Sequence, residues 1–327
     1  MGTMGRVHLE AYAQVPGVEV VAISDADPKR AAGDLTGTEL NVGGGEARSV
    51  AKKLRGTTDW RELLSWKEID IVDICVPTPA HPEVAVAALA TGKHVLCEKP
   101  LARTSADAQV IADAADKASG FFMPAMCMRF WPQWEWLKQA IVEARYGKVL
   151  SASFRRVGSM PGGWFRDGKL SGGAALDLHI HDTDFVNYIF GKPRAVLSSG
   201  YVRTSGEVDH IATQYLFDDI PQVTAEGGWC FADGWGFRMQ YAINFENGSA
   251  DFDIARPDPL MLYRDGKSEV VATASEFGYR RELDYFARCV ESNQRPTIVT
   301  ARDAVAGIRI VEAEVRSLHS RAIVPVP

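Results

Sequence analysis

Ile69-Asp70-Ile71-Val72-Asp73-Ile74-Cys75-Val76-Pro77-Thr78 and, further on, Lys93-His94-Val95-Leu96-Cys97-Glu98-Lys99-Pro100 decide the fold. The first is a near-continuous apolar, β-branched run, as a strand buried on both faces requires. Pro77 and Pro79 break it. An Ala/Val-rich helix is predicted over His81–Thr91, and Gly92 ends it. His94–Cys97 is a second buried strand. Two buried strands joined by a helix make a parallel crossover unit. That second strand stops in an acid, a base and a proline, Glu98-Lys99-Pro100. Lys and Glu are costly to bury unpaired. A Lys at the carboxyl end of a central strand stands where open α/β sheets hold ligands. By itself this tripeptide also reads as a surface turn closed by an ion pair.

Outward from this unit the alternation continues. Glu19–Ser24 reads as a strand, Asp27-Pro28 opens a helix, Trp60–Ser65 is a short helix, Thr104 caps a helix to Ser119, and Phe121–Cys127 is a strand. Residues 33–45, rich in Gly and Thr, read as a mobile inserted loop. Gly2-Thr3-Met4-Gly5 followed by a helical run to Val15 has the form of the back half of a dinucleotide loop. Asp25 lies twenty residues after Gly5 at a strand end, where an acid meets the ribose hydroxyls of NAD. Asp25 also reads as the cap of the next helix. The strand and first glycine that should precede Gly2 are missing. The expectation is a chain that begins late, poorly stable and weak in cofactor binding if complete, because a central strand would be lost.

Beyond about residue 125 the pattern changes. Trp131–Ala144 is an amphipathic helix whose aromatic stripe (Trp131, Trp134, Trp136) reads as core or interface. Strands follow at 148–156, 195–203, 210–217, 223–230, 238–245 and 249–254, with short turns that suggest antiparallel hairpins. Helices are predicted at 277–292 and 301–319. The fold class is therefore α/β: a Rossmann-type domain over 1–125, and an α+β domain with a large, mostly antiparallel open sheet over 126–327.

Gly172-Gly173-Ala174-Ala175-Leu176-Asp177-Leu178-His179-Ile180-His181-Asp182-Thr183-Asp184 is the other dense stretch. On one helix Asp177 and His181 would stand about 40° apart, on the same side. A carboxylate beside an imidazole fixes the ring and raises its basicity, as proton transfer needs. Asp182 and Asp184 read as helix-capping acids. A metal is disfavoured, since no HExxH and no second His/Cys cluster completes a ligand set.

The chain has 327 residues, is 46% hydrophobic and 24% charged, and carries a formal charge of −6 with no basic run. This argues against nucleic acid as a partner. The apolar runs are too short to cross a bilayer, and no leader pattern opens the sequence. The five scattered cysteines read as reduced, in a cytoplasmic protein.

Val76-Pro77-Thr78, Glu98-Lys99-Pro100, Arg129-Phe130, Gly172-Gly173-x-x-x-Asp177-x-x-x-His181-x-x-Asp184, Tyr279-x-x-Glu282-Leu283-x-Tyr285-Phe286 and Asn293-x-Arg295-Pro296 together resemble the Gfo/Idh/MocA oxidoreductases, the glucose–fructose oxidoreductase and inositol dehydrogenase group. The departures are the missing first strand and glycine, the 33–45 insertion, and Ala174 where a third glycine is common. The resemblance implies a nicotinamide cofactor, a polyol or sugar substrate between two domains, and a homodimer or homotetramer built through the C-terminal sheet. By motif position Lys99, Asp177 and His181 match catalytic residues. The cofactor set is Gly2, Thr3, Met4, Gly5, Asp25, Pro77, Thr78, His81, Glu98 and Lys99. Asp25 favours NAD over NADP by repelling a 2′-phosphate. Lys99, Arg129, Trp164, His179 and His181 are the substrate candidates. Two rivals are a lyase or glycosidase that oxidises its sugar transiently, and a non-catalytic cofactor-binding module.

Overall fold

A computed structural model describes residues 1–35, 51 and 53–327. Residues 36–45 of the expected inserted loop lie outside these. The chain forms two compact units. The first comprises Met1–Ala102, Ala106–Trp131 and Glu276–Arg302. The second comprises Arg103–Ser105, Pro132–Ser275 and Asp303–Pro327.

Among its described residues the first unit contains five short parallel strands. They form two separate sheets. Strand β1 (Ala22–Ser24) pairs with β2 (Arg55–Thr57), and β3 (Ile71–Ile74), β4 (His94–Glu98) and β5 (Phe122–Ala125) pair in that order. Among the described strands only β4 is flanked on both sides, and its Val95, Leu96 and Cys97 are fully buried. The expected strands at 19–24 and 69–76 are shorter than the apolar runs that suggest them, because β1 and β3 each pair along one edge among the described residues. The helix His81–Ala90 buries Val84, Ala85, Ala88 and Leu89 against β3 and β4. The helix Gly278–Glu291 buries Glu282, Leu283, Phe286 and Cys289, one face at helical spacing. It lies against the helix Thr3–Tyr12 and the turn Cys127–Phe130. A β-carbon at Gly278 would stand 2.6 Å from the Cys127 carbonyl oxygen, so this approach needs glycine.

The second unit is a nine-stranded sheet, in the order β13-β12-β11-β10-β6-β9-β8-β7-β14. Its strands are β6 (Val149–Ser159), β7 (Ala195–Val202), β8 (Val208–Leu216), β9 (Gln222–Phe231), β10 (Arg238–Phe245), β11 (Gly248–Asp253), β12 (Leu260–Arg264), β13 (Lys267–Val270) and β14 (Val324–Pro325). All neighbours are antiparallel except β6 and β9. Alternate residues face the core, as Met239, Tyr241, Ile243 and Phe245 do on β10. Trp134, from the helix Pro132–Val142, is fully buried among Tyr241, Phe252 and Phe185, at ring separations of 5.1, 4.6 and 6.3 Å. The aromatic stripe thus supplies core. The helices Ile180–Phe190 and Ala301–Ser320 complete this unit; the three strands β12 to β14 have no counterpart in the sequence-based expectation.

Candidate functional site

In the first unit the helix Thr3–Tyr12 starts at Gly2, whose backbone is extended and which offers no side-chain cap. The opening N–H groups of a helix have no partner within it. Gly2, Thr3, Met4 and Gly5 bring backbone N–H groups to one helix end, the form of a pyrophosphate site. Asp25 follows β1. Its Oδ1 accepts the Asp27 N–H at 2.9 Å, and its Oδ2 takes the α-amino group of Met1. The cap of the next short helix is Asp27, which accepts the Lys29 N–H, so the capping alternative for Asp25 falls away. An uncapped glycine-led helix and an acid after the next strand fit a dinucleotide.

Pro77 and Thr78 start the turn after β3. His81 does not face a ligand. Its ring is buried, with Nδ1 3.0 Å from the Pro100 carbonyl oxygen and Nε2 2.9 Å from that of Val76. Burial lowers its pKa against the pull of these carbonyls. The ring ties the end of β3 to the Glu98-Lys99-Pro100 turn. The Lys99–Pro100 peptide is cis.

Glu98 is buried and accepts the Lys99 N–H at 2.9 Å. Its other oxygen lies 3.0 Å from His8 Nε2, and His8 Nδ1 donates to Asp73 at 2.8 Å. Burial opposes charge on His8, but Asp73 and Cys75 outweigh it and raise its pKa well above the ordinary value. Burial and Asp73 push the Cys75 thiol up to about 12. Donor atoms of His8, Asp73 and Cys75 lie within 4.8 Å of one another. They are turned on each other as an ion-paired group. Sequence reasoning missed this cluster. The available signal was Asp73, an acid inside an otherwise apolar strand, which demands a buried partner.

Arg129 is also buried. Its guanidinium donates to the Ile298 carbonyl at 2.8 Å and anchors the turn Cys127–Phe130.

In the second unit Gly172 adopts φ +87° between two short helices, Gly168–Ser171 and Gly173–Asp177. Asp177 ends the latter and is buried. The single helix assumed for Asp177 and His181 is interrupted. His179 N–H reaches back to Ala174, five residues, and a new helix starts at Ile180. His181, half-buried, stands in the first turn of that helix.

The other residues of this segment are committed inward. Asp182 is no cap: both its oxygens accept from Arg156 on β6, at 3.0 Å each. His179 is fully buried, with Nε2 3.4 Å from Glu314 Oε2 and 3.3 Å from the Tyr215 hydroxyl. It cannot touch a substrate from there, which corrects its assignment. Burial works against its charge, yet Glu314 prevails and its pKa is raised. Thr183 donates to Glu314 at 3.1 Å and bonds to Tyr215 at 3.0 Å. Trp164 remains half-buried, stacked on Phe165 at 4.4 Å.

Residues 1–126 match the oxidoreductase family with an NAD-binding Rossmann fold, GFO/IDH/MocA, and residues 134–251 match the C-terminal domain of that group. An uncharacterized oxidoreductase of Rhizobium meliloti, ORF334, is 30% identical over 92% of this chain and 89% of its own. Levoglucosan dehydrogenase of Pseudarthrobacter phenanthrenivorans is 31% identical over 60% of the chain, a match that spans half of that protein. Myo-inositol 2-dehydrogenase of Thermotoga maritima is 29% identical over 64% of the chain and 58% of its own. A solved levoglucosan dehydrogenase in complex with NADH and levoglucosan superposes with a TM-score of 0.86 at 24% identity, covering 100% of this chain and 97% of the other, which shows a shared fold.

Proposed function

The chain belongs to the Gfo/Idh/MocA family of NAD-binding oxidoreductases, and on that footing we propose that it oxidises a secondary hydroxyl of a sugar, polyol or inositol. The observation that supports this most is the Asp177–His181 segment. The polar residues around it, Asp177, His179, Asp182 and Thr183, are buried, while His181 keeps partial exposure. Bound NAD would supply the hydride acceptor. Gly2 to Gly5 would hold its pyrophosphate, Asp25 its ribose, and Pro77, Thr78 and Glu98 its remaining length.

His181 takes the hydroxyl proton, Asp177 orients and raises the basicity of its ring, and Lys99 donates to the developing alkoxide. A positioned base is worth roughly 10²–10⁴-fold, and a fixed charged donor adds a comparable electrostatic share. Trp164 offers a face for a sugar ring. The solvent side of the nine-stranded sheet, where Leu197 and Tyr201 remain exposed, serves assembly into a dimer or tetramer. Sedimentation of the purified chain as a monomer would remove that last element.

The test is a screen of myo-inositol, scyllo-inositol, levoglucosan and sugar acids with NAD, read at 340 nm. Net NADH from one of them supports a dehydrogenase. Product without net NADH points to transient oxidation, and NAD binding with no turnover of any to a binding module.

A further inference from the structure

We propose that Glu314 is a positioning residue for His181, a role that rests on reading His181 as the base. Glu314 is fully buried on the helix Ala301–Ser320. One carboxylate oxygen lies 3.4 Å from His179 and the other 3.1 Å from Thr183. These are the residues two before and two after His181. Four residues apart, they share one side of the turn; a residue midway between them is rotated by about 200° to the far side. A single carboxylate therefore grips both flanks of His181 from behind. Tyr215 closes the group through Thr183 and His179, and Arg156 holds Asp182 beside it. The grip lies where the segment needs it: the break at Leu178–His179 removes the backbone continuity that would otherwise relate Asp177 to His181.

The arrangement is built into the sheet as well. Gly227 on β9 leaves the space for the His179 ring, since a β-carbon there would stand 2.6 Å from His179 Cβ and 2.7 Å from Nδ1. His179 Nε2 and Glu314 Oε2 meet where both side chains are shielded from water, so the contact has no solvent competitor. Removing one partner leaves the other buried and uncompensated.

Glu314→Gln keeps the size of the side chain and removes its charge. Three measurements on the full chain decide the role. First, the imidazole Cε1–H resonance of His181, assigned by its loss in His181→Ala, is followed by NMR without any substrate. It moves or broadens in Glu314→Gln. Second, with NAD and the polyol that gives NADH in the screen above, kcat falls by about tenfold or more while KM and the NAD dissociation constant stay within about twofold, as misplacement of a reacting group predicts. Third, Glu314→Gln causes no further loss when added to His181→Ala. Thr183→Ser, which keeps the hydroxyl, retains the wild-type resonance and rate, and Thr183→Val reproduces Glu314→Gln. Thr183→Val also carries the test if Glu314→Gln does not fold. An unmoved His181 resonance in a folded variant overturns the proposal. So does an equal loss with and without the His181 ring. Normal turnover by His181→Ala would instead remove the base assignment, and the resonance would still report whether Glu314 holds the ring.

Discussion

Arg156 and Asp182 meet through two parallel hydrogen bonds, Nε to Oδ2 and Nη2 to Oδ1, both 3.0 Å, with both side chains buried. The fork joins β6 to the first turn of the helix that carries His181. Breaking such a pair from one side leaves a charge stranded in the core and costs about 3–5 kcal/mol. Arg156→Met should therefore lower the urea midpoint sharply. The double variant Arg156→Met/Asp182→Leu should recover much of that loss. A double variant as unstable as the single would mean that the bonds, and not the stranded charge, carry the effect.

The cluster around His8 predicts a pH dependence of stability. The folded pKa of His8 lies well above its ordinary value of 6.5. A raised histidine stabilises fully below its unfolded pKa, and the contribution disappears as pH rises through the folded pKa. Urea denaturation of the wild type should show greatest benefit from His8 near pH 6 and a decline into the alkaline range. His8→Gln should flatten that decline and destabilise most at pH 6. Equal destabilisation at pH 6 and at high pH would contradict a charged His8 between Asp73 and Glu98.

Cofactor choice tests Asp25. Its carboxylate follows β1 and repels a 2′-phosphate, so kcat/KM should favour NAD over NADP. Asp25→Ser should erode the ratio mainly by improving NADP. An unchanged ratio would move discrimination to another residue.

Gly227 and Gly158 separate steric need from mere habit. A β-carbon at Gly227 collides with the His179 ring, whereas at Gly158 the nearest atom is Phe237 Cδ2 at 3.6 Å, an ordinary contact. Gly227→Ala should cost about 1–3 kcal/mol, by overpacking. Gly158→Ala should leave the thermal midpoint nearly unchanged. Similar midpoints for the two variants would show that His179 moves aside without penalty.

Much of this was legible in the residues. Alternating burial along 238–245 and the β-branched run at 71–74 declare their strands because side-chain period and propensity act locally. The strands Leu260–Arg264 and Lys267–Val270 were hidden for a related reason. They form an edge hairpin around Asp265-Gly266: Lys267–Val270 is exposed throughout, and Leu260–Arg264 buries only Leu260 and Leu262, too short an alternation to stand out. Motif spacing singled out Asp177 and His181 but not the helix break between them, since an amphipathic pattern is the same on either side of a kink. Glu314 was beyond reach altogether: it stands 131 residues from Thr183, in a helix whose own pattern explains it as core-facing. Buried charge pairs join distant segments, and a single sequence carries no record of which acid faces which base. His179 was misread from its chemistry; burial, which only the fold supplies, turned it inward.

The division of the five parallel strands into a pair and a triplet has a kinetic consequence. Among the described residues β1 and β3 each pair along one edge, which leaves about half of their amide protons without a carbonyl across from them there. Those protons should be replaced by deuterium through small, frequent local openings, on a scale far shorter than that for β4, whose two flanks are both zipped. In a deuterium-exchange experiment Val95, Leu96 and Cys97 should be among the last of this unit to label, while Ile71–Ile74 divides residue by residue into fast and slow amides. The slowest-exchanging heart of the nucleotide-binding half is thus the strand that delivers Glu98 and Lys99.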